Sequence, residues 1–212
     1  MSSSSLWVMD KDYKGSEALE FGNSWLFSPV IWGILSDKYI RGLIETPFGY
    51  KKSLISDGSL HKPLNGKINN CKCSADRICW EMSNQQVFFT KDKNVIANGI
   101  QEFVKLNANF DKHSDGVYPL KQDHIIERFN EIADEILKLD ENETPYFVWK
   151  NTTCDDGVER WFSKYDEEKD EYINISLSDM NEFVTEFVFI EDGIISGFKS
   201  NIDYFKKSDN EN

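Results

Sequence analysis

Residues 144–190 constrain this chain more than any other stretch, because they hold its densest run of strand-forming residues, broken by two turn signals. Tyr146, Phe147, Val148 and Trp149 follow Pro145 and are apolar at consecutive positions, the pattern of a strand buried on both faces. Asp155-Asp156-Gly157 is turn chemistry. Glu159 to Tyr165 alternates more loosely, and Asp166 to Asp170 makes a second, charged turn. Glu171 to Ile175 sets Ile173 and Ile175 on one face with Tyr172 and Asn174 on the other. These segments predict three short antiparallel strands. Ser176-Leu177-Ser178-Asp179 then fits a capping box, and Leu177, Met180, Phe183, Val184, Phe187 and Val188 continue at helical spacing. Phe187 to Ile190 suits a strand equally well. Ile194 to Phe205 reads as a last, weaker helix.

The preceding chain alternates between strong and weak signals. Residues 6–10 predict a short strand. Ser28-Pro29 is a helix start, since serine caps and proline suits the first helical position; Val30, Ile31, Ile34, Leu35 and Tyr39 follow at helical spacing. Residues 41–76 are irregular, punctuated by Pro47, Gly49, Gly58, Pro63 and Gly66. Ile78 to Met82 and Gln86 to Thr90 predict a hairpin turning at Ser83-Asn84-Gln85, after which Val95, Ile96, Gly99, Ile100, Phe103 and Val104 mark a helical face. The clearest amphipathic helix starts at Asp123, with Ile125, Ile126, Phe129, Ile132, Ala133, Ile136 and Leu137 on one side. Asp140 to Thr144 stops it.

The fold class expected is therefore α+β: helices packed on small antiparallel sheets, with a hairpin or meander followed by a helix in each half. Residues 1–110 and 117–206 form the two halves. The polar segment Asn107 to Leu120 is either their boundary or a loop across one continuous core.

Composition excludes several classes. Aromatic residues make up 14% of the 212 residues, too many for a disordered chain. A net charge of −13 argues against direct nucleic-acid binding, which needs a basic surface, and against anionic membranes. The longest nearly apolar run, Trp25 to Leu35, is too short to span a bilayer core of about 30 Å. The N-terminal residues carry no basic segment followed by an apolar one, so the expected compartment is cytoplasmic.

Motifs for chemistry are sparse. Cys71, Cys73 and Cys79, with Cys154 or His61, do not have the paired spacing of a zinc site, and free thiols are expected. His61, His113 and His124 have no local link to a cysteine nucleophile. Asp155, Asp156 and Glu159 lack the alternating pattern of a calcium loop, and no glycine-rich phosphate loop is present. Neither catalytic residues, a metal nor a cofactor are assigned, and the expectation is a protein that is not an enzyme.

Charge layout is the informative feature. Thirteen acidic and three basic side chains lie between Asp155 and Asp192, leaving only −3 for the remaining residues. Acidic groups interleaved with aromatic rings suit capture of a basic protein: charge steers the encounter and rings supply desolvated anchors. The expected partner-binding residues are Asp155, Asp156, Glu159, Trp161, Tyr165, Asp166, Glu167, Glu168, Asp170 and Glu171, with Phe162 and Tyr172 displayed among them. The expected activity is inhibition of a basic partner, as by an immunity protein (antitoxin) or a phage counter-defence protein. A nuclease or toxin is the natural target, because a nucleic-acid groove is already basic. The same layout also fits acidic turns that merely keep an edge strand from aggregating. Two other readings are a small-molecule-binding protein or enzyme using an aromatic pocket near Trp25 and Trp32 with the basic 38–72 loop, and a structural or scaffold protein.

Overall fold

The consecutive apolar residues at 146–149 occupy the middle of a sheet, where both faces of a strand are covered. The computed structural model describes residues 3–40, 58–110, 120–151, 158, 160–180 and 184–206, and over these the chain is α+β. It divides into two compact units, each discontinuous in sequence: Met1–Asn23 with Gln85–Lys93 and Lys138–Asn212, and Ser24–Asn84 with Asn94–Leu137.

The first unit contains β1 (Ser3–Met9), β2 (Gly15–Gly22), β3 (Val87–Phe89), β4 (Tyr146–Asn151), β5 (Ser163–Asp166), β6 (Glu171–Asn174), β7 (Glu186–Glu191) and β8 (Ile194–Ser200). Six of them form one sheet in the order β2-β1-β4-β3-β7-β8, while β5 and β6 pair only with each other. The large sheet is mixed: β3 and β7 run parallel, and its other pairs are antiparallel. Strands from either side of residues 107–120 thus share one sheet. Trp7, Val148, Val87 and Phe187 line up across β1, β4, β3 and β7. The last three join Met9, Val158, Trp161, Phe162, Leu177 and Met180 in a buried cluster. On the opposite face the row Val8, Phe147, Phe88 and Val188 is buried as well.

Several sequence expectations change here. The three-strand meander is absent, because β4 pairs with β1 and β3 while β5 and β6 make a separate hairpin. Among the described residues, the helical spacing after Leu177 yields a short 3-10 turn, Leu177–Asp179, with the Ser176 hydroxyl accepting from the Ser178 N–H; residues 181–183 lie outside them. Phe187 to Ile190 is strand, and Ile194–Ser200 is its hairpin partner, not a helix. Among the described residues at that end, only α6 (Asn201–Phe205) is α-helical.

The second unit is helical: α1 (Ser28–Ile40), α2 (His61–Asn69), α3 (Ser74–Ser83), most of α4 (Lys93–Asn107) and nearly all of α5 (Asp123–Lys138). The start of α1 at Ser28, the α4 face and the span of α5 match the sequence pattern, although Leu137, expected on the packed side of α5, is exposed. The predicted hairpin at 78–90 does not form: Ile78 to Met82 belong to α3, and only Val87–Phe89 is strand. Helix α2 lies in the segment expected to be irregular; residues 41–57 of that segment lie outside the described residues. Phe129 of α5 packs against Phe27 and Phe103 at ring distances of 4.7 and 6.1 Å. Gly99 of α4 lies so close to Ile78 of α3 that an added Cβ would meet its Cδ1 at 2.7 Å.

Candidate functional site

The acidic residues 166–171 are gathered by the β5–β6 hairpin. Asp166 pairs across it with Glu171, and Tyr165 with Tyr172. Asp166 organises the turn: its Oδ1 accepts from the backbone N–H of Glu168 at 3.0 Å and of Lys169 at 3.3 Å. Asp170 takes the left-handed backbone (φ 56°) that closes the turn, a conformation aspartate tolerates better than most residues. Glu167, Glu168, Asp170 and Glu171 are exposed around this tip. Lys169 reaches Asp166 at 3.6 Å, a solvent-exposed pair worth little, so the tip stays strongly negative.

Beside the carboxylates stand two rings. Tyr165 and Tyr172 are 44% and 66% exposed, with centroids 5.2 Å apart in an edge-to-face arrangement. The Tyr165 hydroxyl donates to Oδ1 of Asp170. That bond to a carboxylate raises the Tyr165 pKa above its ordinary value, so the phenol stays neutral.

The hairpin's root is fixed in the core. Trp161 is only 6% exposed and Phe162 2%, and Trp7 stacks on Phe162 with centroids 5.4 Å apart. Expected to display their rings, both instead anchor the hairpin, which corrects the role assigned to Trp161. The Ile175 N–H donates to the Phe162 carbonyl at 3.0 Å, and the Leu177 N–H to that of Tyr13 at 2.9 Å. Asp155, Asp156 and Glu159 lie outside the described residues. Of the remaining acidic residues, Asp179 sits in the 3-10 turn, Glu186 starts β7, Glu191 and Asp192 lie at the β7–β8 turn, and Glu182 lies outside the described residues, so among the described acidic residues of this stretch only those of 166–171 converge on the hairpin.

The helical unit holds a second polar cluster that sequence reasoning missed. Asp76, in the first turn of α3, is fully buried. Its Oδ2 accepts from the Lys38 ammonium and the Tyr39 hydroxyl, each at 2.5 Å. Burial, then the bonds to Asp76 and Cys71, hold the Tyr39 pKa far above its usual value. Cys71 and Cys73 are half-exposed and Cys79 is buried; Cys154 lies outside the described residues. No group of three or more His, Cys, Asp or Glu among the described residues is placed to hold a metal ion. Trp32, expected to line an aromatic pocket, uses its indole N–H to bond the Ser83 hydroxyl at 3.0 Å, a contact that joins α1 to α3. No helix among the described residues is long and apolar enough to cross a membrane.

The chain matches no protein-family model, and comparison with curated proteins and with solved structures gives no match.

Proposed function

We propose that this protein binds a basic protein partner through the tip of the β5–β6 hairpin and acts as its inhibitor, in the manner of an immunity protein, antitoxin or phage counter-defence protein. The observation that carries the reading is the solvent-exposed Tyr165–Tyr172 pair beside the carboxylates of Asp166, Glu167, Glu168, Asp170 and Glu171. A tip that served only to keep an edge strand from pairing needs the charges but not two exposed rings. Tyrosine is favoured as an interface anchor because a large rigid ring gives much contact area for little lost entropy. The carboxylates contribute chiefly to the rate and selectivity of encounter. A nuclease fits as target: five carboxylates on one turn imitate a run of phosphates, and covering the groove blocks it sterically. A stable interface buries about 800 Å² on each side, so the hairpin supplies the centre of the contact and neighbouring surface its rim.

The test compares the chain with its Tyr165→Ala/Tyr172→Ala variant, each immobilised and exposed to lysate of the native host. Bound proteins are quantified by mass spectrometry at about 50 mM and about 500 mM salt, where screening lengths differ severalfold. The expected result is a basic protein held by the parent at low salt, released at high salt and not held by the variant. Its activity, once isolated, falls on adding the parent chain. Equal retention by parent and variant, or capture indifferent to salt, overturns the reading.

A further inference from the structure

We infer that Cys71 and Cys73 form a reversible oxidation site, in which a peroxide joins the two sulfurs as an intramolecular disulfide. Both thiols are half-exposed and sit in the short link between α2 and α3, outside regular structure. Helix α2 ends with the Cys71 N–H bonded to the Ile68 carbonyl at 3.0 Å, and the chain bends at Lys72. The Cys71 sulfur already turns toward its neighbour, 3.5 Å from the Cys73 carbonyl oxygen. Two residues of extended chain span roughly 6.6–7.2 Å. The bend at Lys72 brings that within the roughly 4.4–6.8 Å between Cα atoms that a disulfide accepts.

The surroundings also separate the roles of the three thiols. Cys79 is fully buried and shielded from oxidant. Burial, and the negative charge of Asp76, raise the Cys73 pKa and slow its reaction with peroxide, so the first step is placed on Cys71. The Cys71 sulfur attacks the O–O bond, giving a sulfenic acid and one molecule of water. The Cys73 sulfur then attacks Cys71 and displaces its hydroxyl, which leaves as a second water with the Cys73 proton. Overall, two thiols and one hydrogen peroxide become one disulfide and two waters. Cys71 lies near the Tyr39 hydroxyl, so the new bond forms beside the junction that holds the end of α1 to the start of α3.

Trypsin makes the bond directly visible, since Lys72 lies between the two cysteines. The folded chain is treated with hydrogen peroxide, its remaining thiols are blocked, and it is digested without reductant. The expected product is a monomer lighter by two hydrogens, in which the peptide Ile68–Lys72 is cross-linked to Cys73–Arg77; dithiothreitol removes the link. Cys71→Ser abolishes it, and Cys73→Ser instead leaves a sulfenic acid on Cys71 that a dimedone probe traps. The inference is overturned if the first disulfide involves Cys79 or Cys154, if it joins two copies, or if Cys71 passes to higher oxygen adducts with no cross-link.

Discussion

Gly15 lies directly against the ring of Phe162: a Cβ built on the glycine would come within 2.4 Å of the ring carbon Cγ. The ring cannot retreat, because it is buried and stacked on Trp7. Gly15→Ala therefore forces a shift at the root of the β5–β6 hairpin, with an expected loss of about 2–3 kcal/mol, the upper part of the range for overpacked sites. Gly22→Ala, at the other end of β2, meets nothing within 4 Å and serves as the control. Urea melts should show a lower midpoint with an unchanged slope for the first variant and no loss for the second.

Lys38 supplies the positive charge that compensates Asp76. Removing it by Lys38→Met leaves a buried carboxylate with the Tyr39 hydroxyl on Oδ2, and with Oδ1 already lacking a hydrogen-bond partner among the described residues. Breaking a fully buried pair costs roughly 3–5 kcal/mol. The Lys38 side chain is 40% exposed, so solvent softens the loss to about 2 kcal/mol. Asp76→Asn in the Lys38→Met background should recover part of it, because the uncompensated charge has gone. A double-mutant cycle of urea melts measures the coupling.

The sign of pH dependence differs between two aspartates. Oδ2 of Asp92 is buried without a hydrogen-bond partner, and desolvation raises its pKa. A carboxyl raised on folding adds stability only below its unfolded pKa, and that contribution is lost as pH rises through the folded value. At neutral pH the charge is a burden, and Asp92→Asn should raise Tm there, with the gain vanishing toward about pH 3, below the ordinary aspartate pKa. Asp140 is the reverse case. Its Oδ1 accepts from the backbone and side-chain N–H groups of Asn142 at 2.9 and 3.0 Å, and these bonds lower its pKa. Its contribution is present above the unfolded pKa and is lost as pH falls through the folded one. Asp140→Ala should lower Tm at neutral pH and have no effect in acid. Thermal melts from acid to neutral pH check both.

Features written in neighbouring residues were legible in the sequence. The α5 face, the Ser28-Pro29 start of α1, the buried strand at 146–149 and the acidic turn at 166–171 each depend on residues a few positions apart. Ile78 to Met82 misled because a short apolar run fits strand or helix, and burial of Asp76 and Glu81 on α3 is decided by distant packing. The β7–β8 hairpin had a local signal that went unused: Asp192-Gly193, both at positive φ (51° and 75°), is the two-residue turn that matches strand twist. Leu177, Met180 and Val184 imitate a helical face by coincidence of spacing. At the candidate site, the charges were readable but the direction of the rings was not. Whether an aromatic on this hairpin faces core or water depends on where Trp7 and Gly15 lie. The Lys38–Asp76 pair, 38 positions apart, leaves no local pattern at all.

Strand β2 is an edge of the six-stranded sheet, and Ser16, Glu17, Ala18, Leu19 and Glu20 are exposed along it. Such an edge offers unpaired backbone groups to another copy. Two β2 strands meeting antiparallel about Ala18 and Leu19 would set Glu17 opposite Glu20 twice over, a repulsive arrangement. A register shift between Leu6 and Trp7 of β1, where β2 carries one extra residue, disturbs the ladder further. The glutamates are thus the edge's protection, and Glu17→Thr/Glu20→Thr replaces them with a good strand former that carries no charge. The variant should keep its far-ultraviolet spectrum yet self-associate with rising concentration, which light scattering after size-exclusion chromatography detects. Either single replacement should already show much of the effect, because it leaves no two glutamates opposed. A double variant that stays monomeric would mean that the bulge alone guards this edge.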